Sequence, residues 1–519
     1  MSSRDPTVSV QNSGILSRSR IKQRIKSLRY IRYRYIIAIL LSIGSFAYFL
    51  TYFSFPRSFR HLHELGPNYN SNYSIDCKFE KHISRVRHVD GDFYKWGKEF
   101  YQILQQAPAL GIMVSSIPSG VLSDKHGGKY FVLVPIIVLS VIEVVVPPML
   151  CGADVEFYVL FIWEFLIGVG GAIVLCGTNS IVAQWTPLEE RGRLASIVYC
   201  GIPFAVTFHH GINDNFILAT EMWNAPFFVY AAVGLIWSGF FVFFGFSYYY
   251  TKNRWLRQEE LDFLKKQLEE STTFNRKKVP WRKLLKSLPL WSLAIMHIGH
   301  LWIWQAMFKN VHFFLRYVLY LEFHTAAALS AIAYMSTTCL TPVSGFVADY
   351  LTNRGYVQST TLRKLYTTFG GMGPAVFLLA AAYSGCYRIM AACFFIIGTG
   401  LMSFYFSGTR INTLELAPNF SGTVMGFMNT FNFIPVLIQP KVAASVSPTE
   451  SLTEKRMMFW VDLGIMACAN FVYSIFGSGD VQSWNYEGEE EELYEASGSA
   501  PSTSRYNQVL PQHQPRNKV

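Results

Sequence analysis

Charge is what this 519-residue sequence has least of. Only 15% of its residues are Asp, Glu, Lys or Arg, against about a quarter in average globular chains. That shortage excludes a string of ordinary soluble domains and points to lipid as the solvent. The eight cysteines form no CxxC pair and no Cys/His spacing of a metal site, so a zinc or redox module is excluded. No Gly-rich phosphate loop, paired metal ligands or nucleophile elbow lies in a suitable context. An enzyme therefore finds no support, and neither a cofactor nor a metal is expected. Any pumping should be secondary, since no nucleotide domain is recognisable. Acidic residues are also scarce, 34 against 45 basic ones, for a net charge of +11.

What the chain has is apolar residues in runs. Ile36–Phe55, Phe131–Leu150, Val159–Val182, Phe227–Phe246 and Ala375–Phe395 show the pattern. About 20 mainly apolar residues make a helix that crosses the hydrocarbon, where only helices and closed barrels satisfy their backbone. The runs lack the alternation of a barrel strand. Twelve spans are expected near 33–55, 98–122, 129–150, 156–182, 192–212, 226–250, 288–314, 323–348, 365–384, 386–412, 420–442 and 457–477. The fold class is thus an all-α polytopic membrane protein with two six-helix halves.

The basic surplus is topological rather than a nucleic-acid footprint. Arg18 to Arg34 carries a cluster of Lys and Arg before the first span, and Lys252 to Lys278 carries another. Cytosolic loops are enriched in these residues, so both termini and the central loop are expected in the cytosol. The first apolar run is too long for a cleaved signal peptide. Residues 1–32 read as a basic tail, 33–250 as the first half with a non-cytosolic loop at 56–95, 251–287 as the central loop, 288–477 as the second half, and 478–519 as an acidic, Ser-rich disordered tail. Asn72 heads a glycosylation sequon in the 56–95 loop; the Asn419 sequon falls on a cytosolic loop and is expected to stay unused. Cys176, Cys200, Cys339, Cys393 and Cys468 lie within spans and read as small core residues. Cys77, Cys151 and Cys386 fall on the other side, where a Cys77–Cys151 bridge stays open. Glu259–Glu270 reads either as an interfacial amphipathic helix or as a solvated linker helix, with Leu261, Leu264 and Leu268 on one face and Phe263 on the charged side.

The halves repeat a motif. Gly120-Val121-Leu122-Ser123-Asp124 ends the second span and Gly345-Phe346-Val347-Ala348-Asp349 ends the eighth. Glycine lets helices approach closely, and the acid can cap a neighbouring helix or pair with a cation. Together with Lys129, Arg191 and Arg193 these residues are expected to form a gate that makes contacts in one state and breaks them in another. Plain anchoring at the headgroups is the alternative. Parallel repeats about an axis along the membrane normal leave this kind of offset similarity.

The Gly120–Lys129 stretch resembles the signature loop of the major facilitator superfamily. Trp185-Thr186-Pro187-Leu188-Glu189-Glu190-Arg191-Gly192-Arg193-Leu194-Ala195 is similar to a stretch of one family within it, the anion–cation symporters that include vesicular glutamate transporters, sialin and sodium–phosphate cotransporters. The segments at Arg34–Ile39, Pro280–Lys283, Leu414–Pro418 and Ser478–Trp484 extend that similarity. The resemblance implies the major facilitator fold and transport of an organic or inorganic anion driven by protons, sodium or voltage. It also exposes departures. The family's intramembrane arginines correspond to Tyr52, Glu164 and His300, its span-four glutamate and histidine to Gly171 and Asn179, and its span-two tyrosine to Ile112.

Polar side chains inside spans are costly, so each is a site candidate. Tyr48, Tyr52, His300, Trp304, Gln305 and Asn179 are the candidates for substrate, and Glu164, His300 and His297 for coupling, because a buried carboxylate or an imidazole pair can carry protons. Core packing for the tyrosines and backbone-bonded burial for the histidines remain alternatives. Glu143 and Arg410 are read as snorkelling to nearby surfaces, with an anion clamp as the second reading of Arg410. The expected partners are a small solute, a coupling ion and the bilayer, with no nucleic acid, for a monomeric carrier. The competing reading is a transport-inactive receptor or scaffold, or a carrier re-tuned to a zwitterion or cation.

Overall fold

The computed structural model describes residues 32–64, 98–150, 157–213, 216, 220, 222, 224–251, 253–268, 278–385, 387–448 and 452–486. The Asn72 sequon, Cys77, Cys151, Cys386 and both chain ends lie outside them. The helices are α1 Tyr33–Glu64, α2 Lys98–His126, α3 Gly128–Leu150, α4 Phe157–Trp185, α5 Arg191–Tyr199, α6 Gly201–Phe208, α7 Ala225–Phe244, α8 Gln258–Leu268 and α9 Trp281–Lys286. They continue with α10 Leu288–Phe313, α11 Phe323–Asn353, α12 Ser359–Tyr383, α13 Arg388–Leu401, α14 Ile411–Leu416, α15 Ser421–Asn432, α16 Ile434–Val446 and α17 Leu452–Phe476.

Among the described residues nine segments are long and apolar enough to cross a membrane by themselves. The remaining three expected spans are also helical: α2, the α5–α6 pair and α10. Their composition explains why they fall outside the nine. α2 carries Gln105, Gln106, Ser115, Ser116 and Ser119; α10 carries His297, His300 and Gln305; α5 and α6 are separate short helices. Polar side chains in a span face protein rather than lipid. Lipid takes the apolar remainder, and Val134, Val138, Val141, Ile162, Ile236, Phe240, Phe369 and Val376 all point outward.

Two large cores are centred on the two halves, and the first also takes in Phe406, Ile411 and Leu414 of the second half. One buries Tyr33, Leu41, Leu139, Trp163, Trp185 and Phe241; the other buries Leu293, Trp302, Met307, Phe395, Phe459 and Tyr473. Trp304 packs against both. The shared members lie on the segment 406–414, so that segment of the second half packs into the core of the first.

Three expectations are corrected here. α8 is neither interfacial nor a solvated linker: it docks on the first half, burying Leu264 and Leu268 completely. Phe263 lies beneath the Arg34 guanidinium at 4.8 Å, which is why an aromatic stands on the charged side. Glu260 accepts from the backbone N–H of Tyr33 (2.9 Å) and of Arg34 (3.2 Å), satisfying the first donors of α1, which have no partner within their own helix. Residues 478–486 are no tail: Trp484 is buried, and Asn485 accepts from Asn419 N and, through its carbonyl, from Asn419 Nδ2. Of the cysteines within spans only Cys176 is buried, while Cys339, Cys393 and Cys468 face outward.

Candidate functional site

The repeated motif brings the two halves together at one end, here called the basic face. Neither α5 nor α15 receives a side-chain cap from its own N-terminal flank. The first N–H groups of such a helix need an acceptor and favour a negative charge. The other half supplies it. Asp124 of the first half accepts from Gly422 N (2.9 Å), Thr423 N (2.7 Å) and Thr423 Oγ1 (2.8 Å) at the start of α15. Asp349 of the second half accepts from Gly192 N (2.9 Å) and Arg193 N (2.8 Å) at the start of α5. The exchange is reciprocal, one cap in each direction.

The motif glycines make the approach. A Cβ at Gly120 would collide with Gly422 O, and one at Gly345 would stand 2.5 Å from Gly192 O and collide with Ser196 Oγ. Nothing larger than hydrogen fits. Arg191 reaches across to Leu414 O at 3.4 Å. Arg193 pairs with Glu190 at 2.5 Å in its own half and lies 3.9 Å from Asp349. Lys129 does not take part: its Nζ donates to Val242 O at 2.9 Å, so it ties α3 to α7 within one half.

Above this face lies a further layer of contacts between the halves. Asn179 of α4 donates to Ser421 O (2.9 Å) and Thr413 Oγ1 (3.3 Å) and accepts from Tyr199 Oη. Asn179 therefore joins the closed end rather than an open cavity. The Arg410 guanidinium of the second half lies over the Tyr199 ring of the first at 4.7 Å. Arg410 is 5% exposed, so the snorkelling reading is corrected. It stands in a π-helical turn, Phe406–Arg410, and such turns re-aim side chains. Tyr405 Oη meets His297 Nδ1 at 3.3 Å, and the Tyr405 ring lies 4.8 Å from that of His300. His300 Nδ1 bonds Met296 O at 3.0 Å, while Nε2 of both histidines is enclosed without a hydrogen-bond partner.

In the first half Tyr48 and Tyr52 part company. Tyr48 is buried against α4, its hydroxyl 3.5 Å from Ile167 O. A Cβ at Gly171 would overlap that hydroxyl, so the missing side chain at 171 makes room for Tyr48. Tyr48 thus packs inside its half, whereas half-buried Tyr52 packs beside Leu301 and Phe433 of the other. Trp304 and Gln305 are half-buried on α10. Glu143 does not snorkel: it is fully buried and accepts from Thr51 Oγ1 at 3.0 Å. Glu164 is buried too, an electrostatic neighbour of Glu143, with both oxygens enclosed and lacking hydrogen bonds.

The opposite face carries a closure the sequence reading missed. Phe308 of α10 stacks on Phe53 at 5.2 Å and lies 6.1 Å from His209. His210 stacks on Tyr334 of α11 at 5.1 Å and sits 6.1 Å from His312. His209 and His210 occupy a second π-helical turn, His209–Asn213. The signal available in the sequence was a His-His pair within a span. Among the described residues no cluster of His, Cys, Asp and Glu has the geometry of a metal site.

The comparisons with known proteins accord with this architecture. Human sialin is 27% identical over 394 residues, 76% of this chain and 78% of that one. A putative inorganic phosphate cotransporter of Drosophila melanogaster is 27% identical over 412 residues, 78% of this chain and 76% of that one. Bovine vesicular glutamate transporter 2 is 24% identical, covering 75% of this chain and 67% of its own. Among solved structures, the proton:xylose symporter XylE bound to 6-bromo-6-deoxy-D-glucose superposes with a TM-score of 0.60 over 87% of this chain and 98% of that one, at 13% identity. The Major Facilitator Superfamily profile matches residues 37–440. The chain is an integral multi-pass membrane protein, not an enzyme, and it belongs to the Major Facilitator Superfamily as a secondary transporter related to anion transporters.

Proposed function

We propose that the protein is a secondary active carrier that moves a small organic or inorganic anion by alternating access, driven by a proton, sodium or voltage gradient. The reciprocal capping of α5 by Asp349 and of α15 by Asp124 carries the reading. Each cap is strong when dry and dispensable when both partners are hydrated, which is what a contact made and broken in every cycle needs. The names of sialin, the phosphate cotransporter and the glutamate transporter supply the substrate class. On this reading the basic face is cytosolic, both termini lie in the cytosol, and the Asn72 sequon faces a vesicle or lysosome lumen or the cell exterior. The carrier works as a monomer.

Tyr52, Trp304 and Gln305 are assigned to the solute path: Tyr52 and Trp304 are half-buried between the halves, and Gln305, next to Trp304 on α10, has its Oε1 enclosed without a hydrogen-bond partner. Glu164, with Glu143 beside it, is assigned to coupling, and His297 and His300 to the second half's part of the site. The test is gradient-driven uptake into proteoliposomes of the purified full-length protein, with labelled N-acetylneuraminate, L-glutamate and inorganic phosphate under imposed pH, sodium and voltage gradients. Uptake of at least one anion, with the response to the pH gradient lost in Glu164→Gln, supports the reading. Folded protein that takes up none of them overturns it.

A further inference from the structure

Arg410 is a buried cation that takes no part in the reciprocal caps. Its guanidinium stays ionised in any protein environment. Removing such an ion from water costs several kcal/mol unless an opposite charge and hydrogen bonds replace the water. Among the described residues none forms an ion pair with Arg410, and its Nε is enclosed without a hydrogen-bond partner. The Tyr199 ring beneath it gives back only part of that cost. The shortfall is one negative charge, and it falls at the seam between the halves. The surroundings suit an oxyanion: His297 is an electrostatic neighbour of Arg410, and Tyr405 Oη lies 3.3 Å from His297.

Position adds to the argument. Arg410 sits just above the Asn179–Thr413 and Asn179–Ser421 bonds, and its own carbonyl accepts from Thr413 Oγ1 at 2.7 Å. Glu164 stands fifteen residues before Asn179 on α4, about 22 Å along the axis at 1.5 Å per residue. A single small solute does not reach from one level to the other. The cation and the carboxylates therefore serve different ligands.

We infer that Arg410 and Tyr199 form a site for one oxyanion group of a small solute, a carboxylate or a phosphate, seated on the floor made by the closed basic face. The inference rests on the carrier reading and names its substrate contact. Because Arg410 belongs to one half and Tyr199 to the other, an anion bound there adds to the contacts that hold this face closed. The carboxylate pair at Glu143 and Glu164 is left to the coupling cation.

The experiment is equilibrium binding of radiolabelled inorganic phosphate, L-glutamate and N-acetylneuraminate, each separately, to the purified full-length protein. Labelled choline serves as the cationic control. Arg410→Gln, Arg410→Lys and Lys129→Ala are compared with wild type, each shown to be folded by its melting curve. Wild type is expected to bind at least one anion and not choline. Arg410→Gln should weaken that binding by thirtyfold or more, Arg410→Lys by about three- to tenfold, and Lys129→Ala, whose cation bonds within its own half, by less than threefold. Should Arg410→Gln fail to fold, the lysine variant decides, since it keeps the charge and loses the planar stack on Tyr199. Unchanged anion affinity in the folded Arg410 variants overturns the inference, as does wild type that binds choline or none of the anions. The two readings fail differently. Uptake with an unchanged KM in Arg410→Gln sinks this site and leaves the carrier standing; Arg410-dependent binding without uptake does the reverse.

Discussion

Replacing Asp124 with alanine removes three hydrogen bonds that exist only while the basic face is closed. They come from Gly422 N, Thr423 N and Thr423 Oγ1, at 2.7 to 2.9 Å. On opening, carboxylate and helix terminus both meet water, so each bond contributes its net rather than its gross strength, about 1 kcal/mol. The variant should therefore tilt the equilibrium toward the open state by about 3 kcal/mol, roughly a 150-fold change in the ratio of states. Cys176 reports it. Its thiol is fully enclosed and donates to Ser116 O, and Ser116 O lies against Gly426 of the other half, where a Cβ would collide with it. Separation of α15 from α2 uncovers that wall. With the other cysteines changed to serine, labelling of Cys176 by a polar maleimide should accelerate by up to about 150-fold in Asp124→Ala. Asp124→Asn keeps a carbonyl acceptor and should fall between. An unchanged labelling rate in Asp124→Ala would refute the claim that these caps hold the face shut.

Four further outcomes rest on the same geometry. Gly345→Val places carbon 2.5 Å from Gly192 O and into Ser196 Oγ, so it should abolish uptake and speed Cys176 labelling without lowering expression in membranes. Gly171→Ala collides with the Tyr48 hydroxyl and should lower the melting temperature by the equivalent of about 1–3 kcal/mol, with Tyr48→Phe in the same chain restoring most of it. Glu260→Ala strips the acceptor from Tyr33 N and Arg34 N and should cost about 1–3 kcal/mol of stability, read by thermal unfolding, with anion affinity unmoved. Lys129→Ala should leave Cys176 labelling within twofold of wild type, because Lys129 bonds only within its own half.

The spans were legible because lipid imposes one rule on every helix that crosses it. α2, α5–α6 and α10, too polar or too broken to stand out by apolar length, are helical at the expected spans 98–122, 192–212 and 288–314 as well. The motif was legible because its two copies sit at equivalent positions; whether its acid caps a helix or pairs with a cation was left open, and the structure has Asp124 and Asp349 each accepting from the first N–H groups of a helix in the other half. The site was not, and particular residues say why. Arg410 stands six residues before the end of its helix, a spacing that suits snorkelling. The π-helical turn at Phe406–Arg410 adds a residue to the turn and rotates the helix beyond it by about 100°, and no composition signals that turn. Tyr48 was matched with Tyr52 by spacing, yet the side chain absent at Gly171 decides its burial. His209 and His210 share one span while Phe308, His312 and Tyr334 come from two spans much later in the sequence, so the meeting of the two groups is a fact of packing alone. Phe263 looked misplaced on its helix because its partner, Arg34, lies more than two hundred residues earlier.

Alternating access itself is tested most directly by solute counterflow. Proteoliposomes are loaded with a high concentration of one unlabelled anion that the protein binds, then diluted into a trace of the same anion carrying label, with no ion gradient imposed. The account predicts a transient accumulation of label above its equilibrium level, lost in Gly345→Val and in Asp124→Ala. Label that only equilibrates, or fails to enter, in vesicles holding folded wild-type protein would contradict a carrier whose two halves close on the solute in turn.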